Sequence, residues 1–362
     1  MLEFAYTALP SHVVFGPGAA RDRRLVDAAD RLGARRVLVV AAEADRELTA
    51  ATIETLGGRI AGRFSDVRPH VPIEVAQAAR RLAAETAADA ILSVGGGSTT
   101  GAAKAVALTT GLPVLAVPTT YAGSEVTAVW GLTENARKTT GTDLRVLPRV
   151  VVYDPELTVT LPVGLSVASG LNALAHCAES FWAPGRNPIT SLIAEEGIRA
   201  LAHALPGLVA DGHDLDARSR ALYGAWLAGT AFATAGSGVH HKVCHVLGGA
   251  FDLPHAGTHS VMLPHTTAVA APRVTGSDER IAAALGVPGE AAADAIAELA
   301  RRLGAPRSLA ELGMRAGQLD EAIELVDATL ARLPEPVALA ATDAMIRAAF
   351  AGTAPMLEVG AR

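Results

Sequence analysis

Six of the eleven histidines of this 362-residue chain fall between residues 240 and 265, in GVHHKVCHVLGGAFDLPHAGTHSVMLPH. A single histidine in such a stretch is ordinarily a satisfied structural residue, but packing alone does not call for that density. His241 and His245 are four apart and share one face of a helix, which Gly248-Gly249 end, turning the chain toward His255. Asn172 and His176, also four apart in SGLNALAHCAES, put a second polar pair on one helical face. Three histidines and an oxygen ligand could hold a divalent ion, and the same imidazoles could donate hydrogen bonds or protons to a substrate.

A second constellation lies upstream. After the apolar run Ala90 to Val94 come Gly95, Gly96, Gly97 and Ser98, followed by a helix that contains Lys104. Glycines at a strand-to-helix turn let main-chain N–H groups approach a pyrophosphate, and the helix N-terminus adds partial positive charge. Such a turn is as often purely structural. The segment PTTYAGSE, directly after the strand PVLAV, narrows the reading, because ligands of open parallel sheets bind at the carboxyl ends of the strands. Thr119, Thr120 and Ser124 can then hydrogen-bond phosphate or ribose. After RVLVV stand Ala41-Ala42 rather than an acidic residue, leaving room at Ala42 for either NADH or NADPH.

The elements that must position these residues follow from composition. Half the chain is apolar and only 4% aromatic, dominated by Ala, Val and Leu, which suits helices packed on buried parallel strands. From Arg36 onward, strands and helices alternate up to RVVVYDP, predicting a doubly wound α/β nucleotide-binding domain over 1–158. From about Leu165 apolar residues recur at helical spacing, predicting an all-α catalytic domain over 159–362. A net charge of -6 disfavours nucleic acid and anionic membrane as partners. The uncharged run 105–124 is interrupted by glycines and prolines, and no signal peptide is visible at the N-terminus, so a soluble, cytoplasmic protein is expected. Two cysteines, Cys177 and Cys244, are too few for a disulfide framework and read as apolar filler, although each adjoins a site histidine. Of 31 Lys plus Arg only Lys104, Lys138 and Lys242 are lysines, all inside these motif segments, which suggests use at the site.

GGGS with its downstream lysine, PTTYAGSE, SGLNALAHCAE and HHKVCHVLGGAFDLPHA, in this order and spacing, resemble the iron-containing alcohol dehydrogenases over roughly residues 10–355. The resemblance implies the dehydroquinate synthase-like fold, with a cleft between the two domains. In metal-dependent members an aspartate and three histidines bind the ion, and the matching positions are Asn172, His176, His241 and His255. His245 matches a histidine beside the substrate, and Lys138 a lysine near the cofactor. Lys242 either faces substrate carboxylates or lies on the helix surface; with Asn172 and Tyr121 it completes the substrate-binding set.

Asn172 departs from the pattern, since it offers a neutral amide in place of a carboxylate. Together with HHKVCHVLGG, TTYAGSEVTAVWGLTE and KTTGTDLRVLPRVVVYDP, it is similar to the branch of the family that reduces the conjugated C=C bond of maleylacetate to 3-oxoadipate in bacterial aromatic degradation. That likeness implies NADH or NADPH as cofactor, no required metal, and a small dicarboxylate substrate. Symmetry base rates add a homodimer. On this reading His245 and His241 stabilise the enolate and supply the proton, while His176 and His255 shape the pocket. The alternatives are a metal-dependent alcohol, lactaldehyde or glycerol dehydrogenase of the same family, a lyase sharing the fold, and a protein that has lost catalysis.

Overall fold

Val37–Val40, Ala90–Gly95, Val114–Pro118 and Val150–Tyr153 are apolar throughout or nearly so, and strands of that composition need both faces covered. The computed structural model describes residues 3–9, 11–135 and 137–356 and supplies that cover. Strands β1 (His12–Phe15), β2 (Val37–Val40), β3 (Ile60–Phe64), β4 (Ala90–Gly95), β5 (Val114–Pro118) and, after a hairpin, β8 (Val150–Tyr153) form one parallel sheet in the order β1-β8-β5-β4-β2-β3. Alternate residues feed two cores. Val37, Val39, Leu92 and Val94 face helices α1 (Arg23–Arg31) and α2 (Arg46–Leu56), whereas Leu38, Val40 and Ile91 face α3 (Ile73–Glu85) and α4 (Gly97–Thr110).

Connections from β2 run outward to β3 and those from β4 run the other way to β5, so the order reverses between two paired neighbours, β2 and β4. Their carboxyl ends carry Ala41-Ala42 and the glycine turn. This is the place where open α/β sheets bind ligands.

The hairpin of β6 (Val129–Glu134) and β7 (Arg137–Thr142) is not among the elements that the sequence predicts. Its residues are mostly polar and half exposed, so no apolar alternation announces it.

Beyond it the chain is helical: α5 (Val163–Glu179), α6 (Pro188–Ala210), α7 (Leu215–Ala235), α8 (Val239–Phe251), α9 (His255–Ala270), α10 (Ser277–Ala284), α11 (Ala292–Arg302), α12 (Leu319–Leu330) and α13 (Leu339–Ala351). Among the described residues the chain divides into two compact units, one of residues 8–161 with 213–222, the other of residues 3–7, 162–212 and 223–356. The boundary drawn at 158/159 lies at the end of the turn Pro155–Thr158, just ahead of the division at Leu161. No composition shift marks the stretch 213–222 that opens α7.

One local expectation is corrected. Gly248-Gly249 do not end α8, which continues to Phe251 and stops at Asp252 in the left-handed conformation (φ 53°). A helix tolerates interior glycines at about 1 kcal/mol each, and Asp is among the few non-glycine residues that enter the left-handed region readily.

Candidate active site

The glycine turn is built by conformation and by close approach. Gly95 has φ 150°, and a Cβ there would lie 2.5 Å from the Thr99 hydroxyl; a Cβ on Gly96 would lie 3.0 Å from Thr120. The Thr119 N–H donates to the Gly95 carbonyl at 3.1 Å, so the two loops predicted to share a ligand are hydrogen-bonded neighbours. Gly96, Gly97, Ser98, Thr120 and Ser124 are partly exposed there, while Thr119 is buried. Ala42 caps a short turn after β2 and is partly exposed, and the adjacent Glu43 carboxylate is engaged by Arg46 at 2.6 Å.

Lys104 does not reach a ligand. Its ammonium is buried and donates to the Thr127 carbonyl (2.8 Å), the Thr127 hydroxyl (2.9 Å) and the Val129 carbonyl (2.9 Å). Burial pulls it down to about 7. Its place among the site lysines is therefore corrected to a clasp between α4 and the hairpin. Tyr121 is corrected likewise: it is wholly buried and its hydroxyl accepts from Arg218 at 3.3 Å, so it offers no face to a substrate. The Lys138 side chain lies outside the described residues; Lys242 is partly exposed on α8.

The second unit gathers the histidines from three helices. Asn172, His176 and Glu179 lie one turn apart along α5; His240, His241 and His245 come from α8; His255 and His259 lie one turn apart on α9. The rings form two layers. His176, His240, His241 and His259 are buried, with His176 stacked on His241 (centroids 5.0 Å apart) and on Phe232 (4.7 Å). His245 and His255 are exposed, 6.4 Å apart, with His245 6.0 Å from His241 and His255 4.4 Å from His259.

Glu179 orders this assembly, and the sequence reading missed it. The residue is fully buried at the end of α5, and its carboxylate accepts the main-chain N–H of His241 at 3.2 Å and the Nδ1 proton of the same side chain. Gly238, the residue capping α8, offers no side chain to the free N–H groups of that helix, and Glu179 takes the role from a neighbouring helix. Burial raises its carboxyl above the usual range, opposed by His240 and the N–H groups of His241, His240 and Gly238.

With Nδ1 donating to Glu179, the Nε2 of His241 carries a lone pair. Burial, reinforced by neighbouring histidines, holds the ring well below the ordinary imidazole value and so neutral. His176 is depressed for the same reason. In this arrangement Nε2 of His241 is placed to accept.

Among the described residues of this unit six buried side-chain atoms lack any hydrogen-bond partner, Trp182 Nε1, His265 Nδ1 and four at the histidine cluster: Asn172 Oδ1, His176 Nδ1, His241 Nε2 and His259 Nε2. Each of these four can act as a lone-pair donor, and stranded buried acceptors cost about 1 to 3 kcal/mol apiece. Ring nitrogens of His240, His241 and His259 lie within 4.8 Å of one another. A carboxylate behind an imidazole whose far nitrogen is free is the arrangement that orients histidine ligands on metal ions. The donor set fits a divalent cation.

A parallel sheet with a glycine turn at its switch point, joined in one chain to a helical unit rich in convergent imidazoles, defines the class: an oxidoreductase of the alcohol dehydrogenase type. Residues 10–155 match the family described as iron-containing alcohol dehydrogenase, and residues 166–350 match its C-terminal domain. The chain belongs to the iron-containing alcohol dehydrogenase family. It is 47% identical over 358 residues to a maleylacetate reductase of Burkholderia cepacia, covering 98% of this chain and 100% of that one. A maleylacetate reductase of Sphingobium indicum is 49% identical over 339 residues, covering 93% and 94%. The crystal structure of maleylacetate reductase from Rhizobium sp. strain MTP-10005 superposes with a TM-score of 0.93 at 46% identity, covering 98% of this chain and 100% of that one.

The expectation of a site that requires no metal is overturned. The family is an iron-containing one, and the described residues hold a histidine cluster able to take an ion. Asn172 supplies no carboxylate, but the ring nitrogens of His240, His241 and His259 gather within 4.8 Å of one another, and the Glu179 carboxylate backs His241.

Proposed function

We propose that the chain reduces the conjugated C=C bond of maleylacetate to 3-oxoadipate with NADH or NADPH, as a cytoplasmic homodimer. The observation that carries this reading is the likeness, over nearly full length, to proteins named for that activity. Among the described residues no helix is long and apolar enough to cross a membrane.

In the reaction a hydride from the reduced nicotinamide adds to the alkene carbon farther from the ketone, the π electrons move onto the ketone oxygen as an enolate, and a proton then adds to the carbon beside the ketone. The loops at Gly95–Ser98 and Thr119–Ser124 are suited to the cofactor's pyrophosphate and ribose, through main-chain N–H groups and hydroxyls. His176 and His241 would hold the ion, with Asn172 beside them and His255, the fourth family position, at the exposed edge. A bound divalent ion supplies Lewis acidity toward a carbonyl oxygen. Glu179 keeps His241 oriented with its Nε2 unengaged. His245, exposed beside these positions, is suited to deliver the proton to carbon. Lys242, partly exposed one residue from His241, supplies positive charge toward a dicarboxylate.

The test is NADH-linked turnover of maleylacetate by the metal-loaded protein compared with simple aldehydes and ketones. A kcat/KM for maleylacetate at least about a hundredfold higher, or about 2.7 kcal/mol, supports the reading. Preference for simple carbonyl substrates overturns it.

A further inference from the structure

The hydrogen bonds behind His259 fix which of its nitrogens is free. On α9 the Thr266 hydroxyl lies 3.0 Å from the Met262 carbonyl and 3.1 Å from that of Leu263, and it donates to them. Its oxygen is then an acceptor for His240 Nδ1 at 2.8 Å. His240 is fully buried, and its two ring nitrogens are engaged by Thr266 and His259, so the run of donors and acceptors sets where its proton sits. With that proton on Nδ1, its Nε2 accepts from His259 Nδ1 at 2.9 Å. His259, wholly buried with its Nδ1 donating to His240, is left with a lone pair on Nε2, an atom that has no partner. The opposite run of protons would lose the bond from Thr266 to the helix carbonyls and strand an N–H instead, so it makes one bond fewer.

Two independent chains thus end alike. Glu179 presents Nε2 of His241, Thr266 through His240 presents Nε2 of His259, and the two rings lie 4.8 Å apart with no donor assigned to either nitrogen. Both nitrogens of His240 are already engaged, so of the three clustered histidines it is the support and the other two are the open ligands.

We propose that His259 is a ligand of the metal in this chain, standing in for the carboxylate that Asn172 does not provide, with His240 and Thr266 as positioning residues that hold its tautomer. A fourth imidazole compensates in ligand number and softness for the missing negative charge, and favours a borderline ion over a hard one. The inference does not rest on the substrate, so its fate and that of the proposed reaction are separable.

The experiment is metal binding by the chelator-stripped full-length protein, read as Zn2+ affinity in competition with a chromophoric chelator and as the visible ligand-field bands of bound Co2+. Wild type is expected to bind one ion, with His259→Gln weakening Zn2+ by more than about a hundredfold and shifting the Co2+ bands. Thr266→Val, which removes only the outer anchor, is expected to weaken it by about 10- to 100-fold. Adding Asn172→Asp to His259→Gln should recover most of the lost affinity, since the carboxylate position is refilled. Unchanged affinity and Co2+ bands in His259→Gln, with loss in His241→Gln, overturn the proposal, as does a wild type that binds no ion. Should His259→Gln fail to fold, an unchanged affinity in Thr266→Val overturns the positioning chain by itself.

Discussion

The Glu179 carboxylate holds His241 twice, through the main-chain N–H at 3.2 Å and through Nδ1 of the ring, so one buried charge sets both the start of α8 and the tautomer of its first site histidine. Glu179→Gln keeps the shape but removes the charge and one acceptor. Metal affinity is expected to fall by about 10- to 100-fold and kcat with it, while the fold persists. Metal content after dialysis against a fixed free-ion buffer, together with near-ultraviolet dichroism, checks this.

Acid should destabilise the metal-free protein. His176, His240, His241 and His259 are held neutral by burial, with His240 down to about 3, and His265 is lowered to about 4. The unfolded chain binds protons at these rings below the ordinary value near 6.5, so unfolding takes up protons in the window beneath it and stability is lost as pH falls. Each such ring contributes a slope of up to about 1.4 kcal/mol per pH unit. Tm of the stripped protein should drop steeply from pH 6.5 to pH 4.5 and stay nearly flat from 6.5 to 8; a flat profile across both ranges contradicts the buried neutral set.

Cofactor discrimination should be loose. Ala42 at the end of β2 is small and partly exposed, and the nearby Glu43 is paired with Arg46. Neither attracts the ribose hydroxyls nor repels a 2′-phosphate. The kcat/KM values for NADH and NADPH are expected to lie within about a hundredfold of each other, and Ala42→Asp should shift the ratio toward NADH by about tenfold or more.

Gly95→Ala should impair cofactor binding more than it impairs folding of the helical unit. The new Cβ would meet the Thr99 side chain at 2.5 Å on a backbone at φ 150°, so the turn must move. A rise in KM for NADH of about tenfold, with metal affinity unchanged, is the expected pattern.

The thiols are core. Cys177 and Cys244 are buried and burial pushes both upward, Cys244 further raised by Glu179. A charged disulfide reagent should leave the native enzyme active and unlabelled, then titrate both cysteines in denaturant; rapid loss of activity in native conditions contradicts this.

The sequence disclosed what repeats or breaks a pattern. The apolar runs of β2, β4, β5 and β8, the glycine turn at Gly95 and the spacing of Asn172 and His176 are local signals, and each lies in its expected element. What stayed hidden depends on partners distant in the chain. Glu179 is one acidic residue in a helix until α8 brings His241 to it from 62 positions away. His259 sits in a run of histidines with nothing to single it out until Thr266 and His240 settle its protons. The hairpin of β6 and β7 is too polar for alternation to mark it. Tyr121 and Lys104 misled in the other direction, because membership of a motif says nothing about whether a side chain faces a ligand or the interior.

Lys104 also explains an oddity of composition. The chain uses arginine almost everywhere a cation is needed, yet at this buried spot an ammonium meets three oxygen acceptors, from Thr127 twice and Val129 once. An ammonium has three N–H bonds in a tripod, whereas a guanidinium spreads its donors in a plane over a larger body. The three acceptors behind α4 therefore suit a tripod of N–H bonds, which a planar guanidinium does not present. Even when the amine gives up its proton near neutrality it keeps two N–H bonds for three acceptors, so the fastening between the nucleotide helix and the hairpin slackens by one bond instead of opening.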